Sequence, residues 1–118
     1  MDWFFTIPGQ PVPKARPRLT LEGRFFSPRH TVEAEEYVQW QFASAVGSMR
    51  PRKNIYAVAC QFFTKNRRRV DLDNLSKLIL DSLNGIVWED DCQVWQLDLA
   101  RYVDKENPRT EVKIWILQ

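Results

Sequence analysis

Residues 67–94 read RRRVDLDNLSKLILDSLNGIVWEDDCQV. Three arginines run into Asp71 and Asp73, two carboxylates separated by one residue. Leu75, Leu78, Ile79 and Leu83 then recur at the i, i+3, i+4 spacing of a single helix face, and Asn84-Gly85 is a helix-ending pair. The spacing predicts a helix over Asp73–Leu83, entered through a basic loop and opening on paired carboxylates. A second acidic run, Glu89-Asp90-Asp91, follows before the chain turns apolar again.

Working outward, Ile55–Phe63 is almost continuously apolar, as in a central strand buried on both faces. Val94–Val103 and Glu111–Leu117 read as strands joined through the turn-like DKENPR. The last of them alternates: Val112, Ile114 and Ile116 one way, Glu111, Lys113 and Trp115 the other. Thr31–Gly47 carries Ala34, Tyr37, Val38, Gln41, Phe42 and Ala45 on one helical face. His30 or Thr31 is the expected N-cap, with Glu33, Glu35 and Glu36 near the positive end of the helix dipole. Trp40 falls off the stripe. Trp3–Ile7 reads as a strand stopped by Pro8-Gly9, and Leu19–Phe26 as a hairpin turning at Glu22-Gly23. The expected fold is α+β: a small mixed sheet with two main helices, in the order ββαβαββ, forming one domain over residues 1–118.

The 118 residues suffice for one domain and a modest core, to which dimerisation would add buried area. No apolar run approaches the roughly 18 residues of a membrane span, and the N-terminus lacks the basic and apolar regions of a signal peptide. Cys60 and Cys92 form no metal-binding spacing and read as reduced thiols of a cytoplasmic protein. A single histidine, His30, removes most zinc sites and histidine acid–base schemes. Any metal would be a hard cation on oxygen ligands.

The net charge of +2 conceals a division. Residues 1–70 carry 12 Lys/Arg against 5 Asp/Glu, and residues 71–118 carry 5 against 10. A basic half beside an acidic half suits a protein that attracts a polyanion and presents carboxylates to it.

If residues 70–73 are extended, Asp71 and Asp73 point the same way, and Lys77 stands one turn beyond Asp73. Two neighbouring carboxylates stay ionised together most easily when a cation joins them. Asp is also a favoured N-cap, worth about 0.5–2 kcal/mol, so one of the pair can serve as a cap and Lys77 as its salt-bridge partner. A helix of about eleven residues is about 16 Å long. For Asp91 to reach Asp71 and Asp73, the strand from Val94 must run back past the start of the helix, and that packing is expected.

The blocks RRRVDLDNLSKLILDSL and VWEDDCQV resemble the RusA family of Holliday junction resolvases, whose hallmark is a basic stretch, Asp-x-Asp-Asn-x-x-Lys and a later acidic pair. GQPVPKARPR and GRFFSPRHTVEAEEYV resemble the same family's N-terminal region. The resemblance implies a homodimer that binds four-way or other branched DNA and nicks two strands symmetrically with Mg²⁺, for which Mn²⁺ can substitute. It implies Asp71, Asp73 and Asp91 as catalytic metal ligands, Asp90 as a further ligand candidate and Lys77 as a catalytic companion. Glu89, where members vary, leaves open which of residues 89–91 binds the ion. Asn74 is the accompanying motif residue, placed with Lys14, Arg16, Arg18, Arg67, Arg68 and Arg69 in the DNA-binding set. Hydrolysis by a metal-activated water would leave a 5′-phosphate and a 3′-hydroxyl. The alternatives are a non-catalytic branched-DNA-binding protein of the same fold, and the same chemistry on flap substrates.

Overall fold

The computed structural model describes residues 1–15, 18–19, 25–26 and 29–118. The elements run β1 (Asp2–Pro8), β2 (Arg18–Leu19), β3 (Phe25–Phe26), α1 (Arg29–Val46), β4 (Tyr56–Thr64), α2 (Leu72–Ser82), β5 (Val94–Val103) and β6 (Arg109–Ile116), with a short 3-10 turn at Asp91–Gln93 before β5. The α+β expectation holds. The main sheet has four strands in the order β1-β6-β4-β5. β6 lies antiparallel to both β1 and β4, and β4 and β5 are parallel. β2 and β3 pair as the expected hairpin; its proposed turn at Glu22-Gly23 lies outside the described residues.

Alternation fixes the core. Phe5 and Ile7 of β1, Val112 and Ile114 of β6, and Tyr56, Val58, Cys60 and Phe62 of β4 point to one side of the sheet and are buried. Helix α1 brings Val38 and Phe42 against that side, and α2 brings Leu75, Leu78 and Ile79. Phe5 meets Phe42 edge-on, with ring centroids 5.3 Å apart. The opposite side is open at Phe4, Gln61 and Lys113. The expectation that the central strand is covered on both faces is therefore corrected: its alternate residue Gln61 faces solvent because both helices pack on one side.

α1 begins at Arg29, two residues earlier than its expected cap. His30 and Thr31 therefore lie inside the helix, and no acidic residue falls in its first turn. Trp40 is exposed, as its position off the stripe implied.

The segment after α2 is anchored by Trp88, which is fully buried against Tyr56 with ring centroids 5.5 Å apart. Its indole N–H donates to Asn84 Oδ1 at 2.9 Å, and the Tyr56 hydroxyl donates to the Val87 carbonyl at 3.0 Å. Gly85 takes the positive φ of +79° that the turn requires. This anchor sets where Glu89, Asp90 and Asp91 emerge.

Candidate functional site

The basic loop leaves the end of β4 and is braced from several sides. The Thr64 hydroxyl donates to the Asn66 carbonyl at 2.9 Å. Arg101 donates to Thr64 Oγ1 at 3.1 Å and to the Asn66 carbonyl at 2.9 Å. The Lys65 amide donates to Gln10 Oε1 at 2.8 Å, and the Arg68 amide to Asn66 Oδ1 at 3.0 Å. Arg67, Arg68 and Arg69 themselves are exposed, with no carboxylate in ion-pair contact among the described residues. Lys65, Arg68, Arg69 and Arg101 line a cleft of about 400 Å³ whose other wall includes Gln10 and Pro13. Its chemistry suits phosphate. Arg101 was not singled out in the sequence, because nothing local tells an edge-strand arginine that folds onto this loop from one in solvent.

The loop delivers Asp71 to the N-cap position of α2, in extended backbone. Asp71 makes no side-chain capping bond; its Oδ2 accepts from Asn74 Nδ2 at 3.4 Å. The capping explanation therefore does not account for this carboxylate. Asp73 is already helical, so the extended geometry expected for residues 70–73 is corrected: the chain turns helical at Leu72. Both carboxylates still lie at the positive end of the α2 dipole and both are exposed.

Lys77 pairs with Asp81, at 3.8 Å, and not with Asp73. Asp73, Lys77 and Asp81 form one strip along the helix at i, i+4 and i+8. Asp81 was missed, although its spacing from Lys77 was the available signal. It also receives Lys14, whose Nζ lies 3.2 Å from Asp81 and 2.8 Å from Glu35 of α1. Lys14, expected to hold phosphate, is thus a largely buried clamp, and its backbone amide donates to the Asn74 carbonyl at 2.9 Å. Arg16 and the side chain of Arg18 lie outside the described residues.

Asp90 and Asp91 take different tasks. Asp90 caps the 3-10 turn and accepts from the Cys92 amide at 3.1 Å, while Gln93 Oε1 accepts from the amides of Glu89 and Asp90. Bonds from Cys92 hold the Asp90 carboxyl below the usual carboxylate range. Asp91 is near enough to Asp81 to feel its charge. Partial burial raises its pKa, and the charges of Asp90 and Asp81 raise it further against an opposing pull from Lys77.

A hard divalent ion requires oxygen donors converging on one point. Asp71 and Asp73 stand at the start of α2, while Asp91 stands with Asp81 at its end, about 12 Å further along a helix axis rising 1.5 Å per residue. Among the described residues no three His, Cys, Asp or Glu side chains gather as metal ligands. The expectation that the returning strand brings Asp91 to Asp71 and Asp73 is corrected. In a parallel strand–helix–strand unit the helix runs opposite to both strands, so residues just before the second strand lie at the helix C-terminus. β5 does run back along α2, but Asp91 precedes it.

A family model described as endodeoxyribonuclease RusA matches residues 8–115. No curated protein matches the chain. No described helix is long and apolar enough to cross a membrane.

Proposed function

The chain belongs to the RusA endodeoxyribonuclease family, and on that premise we propose that it is a divalent-ion-dependent endonuclease that resolves four-way DNA junctions by paired, symmetric nicks. We read residues 1–118 as one nuclease domain acting as a homodimer in a reducing, cytoplasmic setting. The observation that carries this reading is the direct succession of a braced basic loop and an exposed carboxylate pair, Arg67–Arg69 and then Asp71 and Asp73.

Arg67, Arg68 and Arg69, with Lys65 and Arg101 in the same cleft, hold backbone phosphates; such contacts position the duplex and carry no sequence information. Asp71 and Asp73 offer the hard oxygen donors that Mg²⁺ or Mn²⁺ takes, and such an ion, when bound, would supply an acidified water and charge neutralisation at phosphorus; Asp91, the third carboxylate of the proposed set, stands at the other end of α2 within one chain. Lys77 stands between the two acidic groups on α2 and stabilises charge that develops on the phosphate. Asn74 holds Asp71 in place through its 3.4 Å hydrogen bond. A two-fold dimer presents two such sites to the two strands of a two-fold junction.

The separation of Asp91 from Asp71 and Asp73 favours a second reading, a branched-DNA-binding protein that does not cut. Incubation with a synthetic four-way junction and Mg²⁺ decides between them. Paired nicks at symmetric positions are the expected result; binding without nicks over a range of Mg²⁺, Mn²⁺ and salt concentrations leaves the binder.

A further inference from the structure

Arg50-Pro51-Arg52-Lys53 is a second short basic run, and the site described above makes no use of it. The same Arg-Pro-Arg triplet occurs at residues 16–18. A proline fixes its own backbone and drives the residue before it towards extended conformations, so the run is stiff before anything packs on it. The fold then ties its backbone down. The Arg52 amide donates to the Val87 carbonyl at 3.1 Å. Gln93 Nε2 donates to the carbonyls of Arg52 and Asn54, at 2.7 and 3.0 Å. Asn54 Nδ2 donates to the Gln118 carbonyl at 3.3 Å. The cationic side chains are left outside. Arg50, Arg52 and Lys53 are exposed, and none is in an ion pair among the described residues. The Arg52 guanidinium lies 5.5 Å from the Trp3 ring centroid, a contact that supports it without neutralising it.

Gln93 joins this run to the second acidic group. While its amide nitrogen holds Arg52 and Asn54, its Oε1 accepts from the amides of Glu89 and Asp90, at 2.9 and 3.2 Å. One side chain thus fixes a row of cations beside Glu89, Asp90 and Asp91. The basic loop of Arg67–Arg69 follows the other end of β4. The nine residues Tyr56–Thr64 hold the two basic segments about 26 Å apart, at about 3.3 Å per residue. Each end has the same composition: a braced backbone, exposed cations and carboxylates alongside. A phosphate approaching Asp91 is repelled by three carboxylates, and a cation row already in place offsets that repulsion.

We infer that Arg50, Arg52 and Lys53 form a second binding site for DNA backbone phosphates, separate from the cleft at Arg68 and Arg69, and that it holds the duplex on the Asp91 side. This rests on reading the chain as a branched-DNA-binding protein, and not on its cutting. The ligand class follows from the side chains. Two guanidiniums and an ammonium on a stiff backbone suit anionic oxygens repeated along a strand, and a guanidinium takes a phosphate through two parallel hydrogen bonds. Such contacts give affinity and position without sequence preference. Because the backbone is already fixed, binding orders side chains only, and that keeps its entropic cost low.

A variant carrying Arg50→Gln, Arg52→Gln and Lys53→Gln tests this in fluorescence-anisotropy titrations of a synthetic four-way junction without divalent ions, so that cutting plays no part. The slope of log affinity against log salt should become shallower than wild type by about two to three, and affinity should fall about tenfold or more at about 0.1 M salt. A control with Arg29→Gln, Lys105→Gln and Lys113→Gln removes the same formal charge from other faces and should change the slope by less than about one. Arg50→Gln with Lys53→Gln keeps the contact between Arg52 and Trp3 and should lose about two, which preserves the test if the triple variant unfolds. Added to Arg68→Ala, the losses should sum, since sites this far apart act independently. A folded variant with the wild-type slope, or a control that loses as much, overturns the second site; nicking by wild type would then still support the nuclease. If wild type binds the junction without nicking and the variants lose slope as expected, the nuclease reading fails and the phosphate site stands. A wild type that binds no junction overturns both.

Discussion

Lys14 Nζ lies 3.2 Å from Asp81 and 2.8 Å from Glu35, so one ammonium ties the N-terminal loop to both helices. The charge of the same Asp81 is felt by Asp91, which makes Lys14 a neighbour of the acidic group without being part of the phosphate cleft.

Burial alone would lower the Lys14 pKa; the two carboxylates overcome it and hold the group above the usual lysine value. A raised lysine stabilises the fold fully below its unfolded value of about 10.4 and loses that contribution as pH rises through the folded value. Lys14→Met is expected to cost about 1–2 kcal/mol at pH 7, because Glu35 then loses its cation and Asp81 keeps only its longer contact with Lys77. Urea denaturation measures it. A lysine serving phosphate alone would leave the midpoint unmoved, and that result would return Lys14 to the DNA-binding set.

Asp73 is exposed in the first turn of α2, so its carboxylate is expected to be dispensable for folding. Asp73→Asn is expected to abolish nicking while junction affinity stays equal or rises, since one phosphate-repelling charge is gone. Gel-shift binding and a nicking assay on the same preparation read both. Loss of the folded state would make Asp73 a structural residue instead.

Arg68 is held by its backbone to Asn66 and projects into the basic cleft. Arg68→Ala is expected to weaken junction binding and to reduce the slope of log affinity against log salt by about one. An unaltered slope would take this loop out of the interface.

The two thiols differ in accessibility. Burial pushes the Cys60 pKa up to about 12, so Cys60 should resist alkylation at pH 8 until the chain unfolds. Cys92 is exposed, and its pKa is raised chiefly by its hydrogen bond to Asp90. Asp90→Asn should therefore speed Cys92 alkylation, because the thiolate is no longer opposed by a neighbouring negative charge. Mass spectrometry after timed labelling follows each thiol, and equal Cys92 rates in the two proteins would contradict the contact.

Both helices, the hairpin pairing and all four sheet strands were legible in the sequence, because each has an uninterrupted period: 3.6 residues for Leu75, Leu78 and Ile79, two for Val112, Ile114 and Ile116. Helix ends were read less well. α1 starts at Arg29 where Thr31 had looked like its cap, and a cap is chosen by which residue leaves the helix, a matter of packing as well as propensity. Asp71 and Asp73 were legible as a pair because two residues in sequence are neighbours in space whatever the fold. The links of Asp81 to Lys14 and of Arg101 to Thr64 were not, since those partners come from the N-terminal loop and from β4.

The sequence by itself determined the elements, the basic loop, the carboxylate pair and the family likeness, all of which reside in local spacing. Only the tertiary structure decided where the second acidic group goes. A helix joining two parallel strands must run against both, so Asp91 reaches the C-terminal end of α2 and leaves Asp71 and Asp73 at the other. It also decided that Lys14 is engaged while Arg68 has no ion-pair partner among the described residues, because ion pairing depends on which chain segments the core brings together. No spacing along one chain records that.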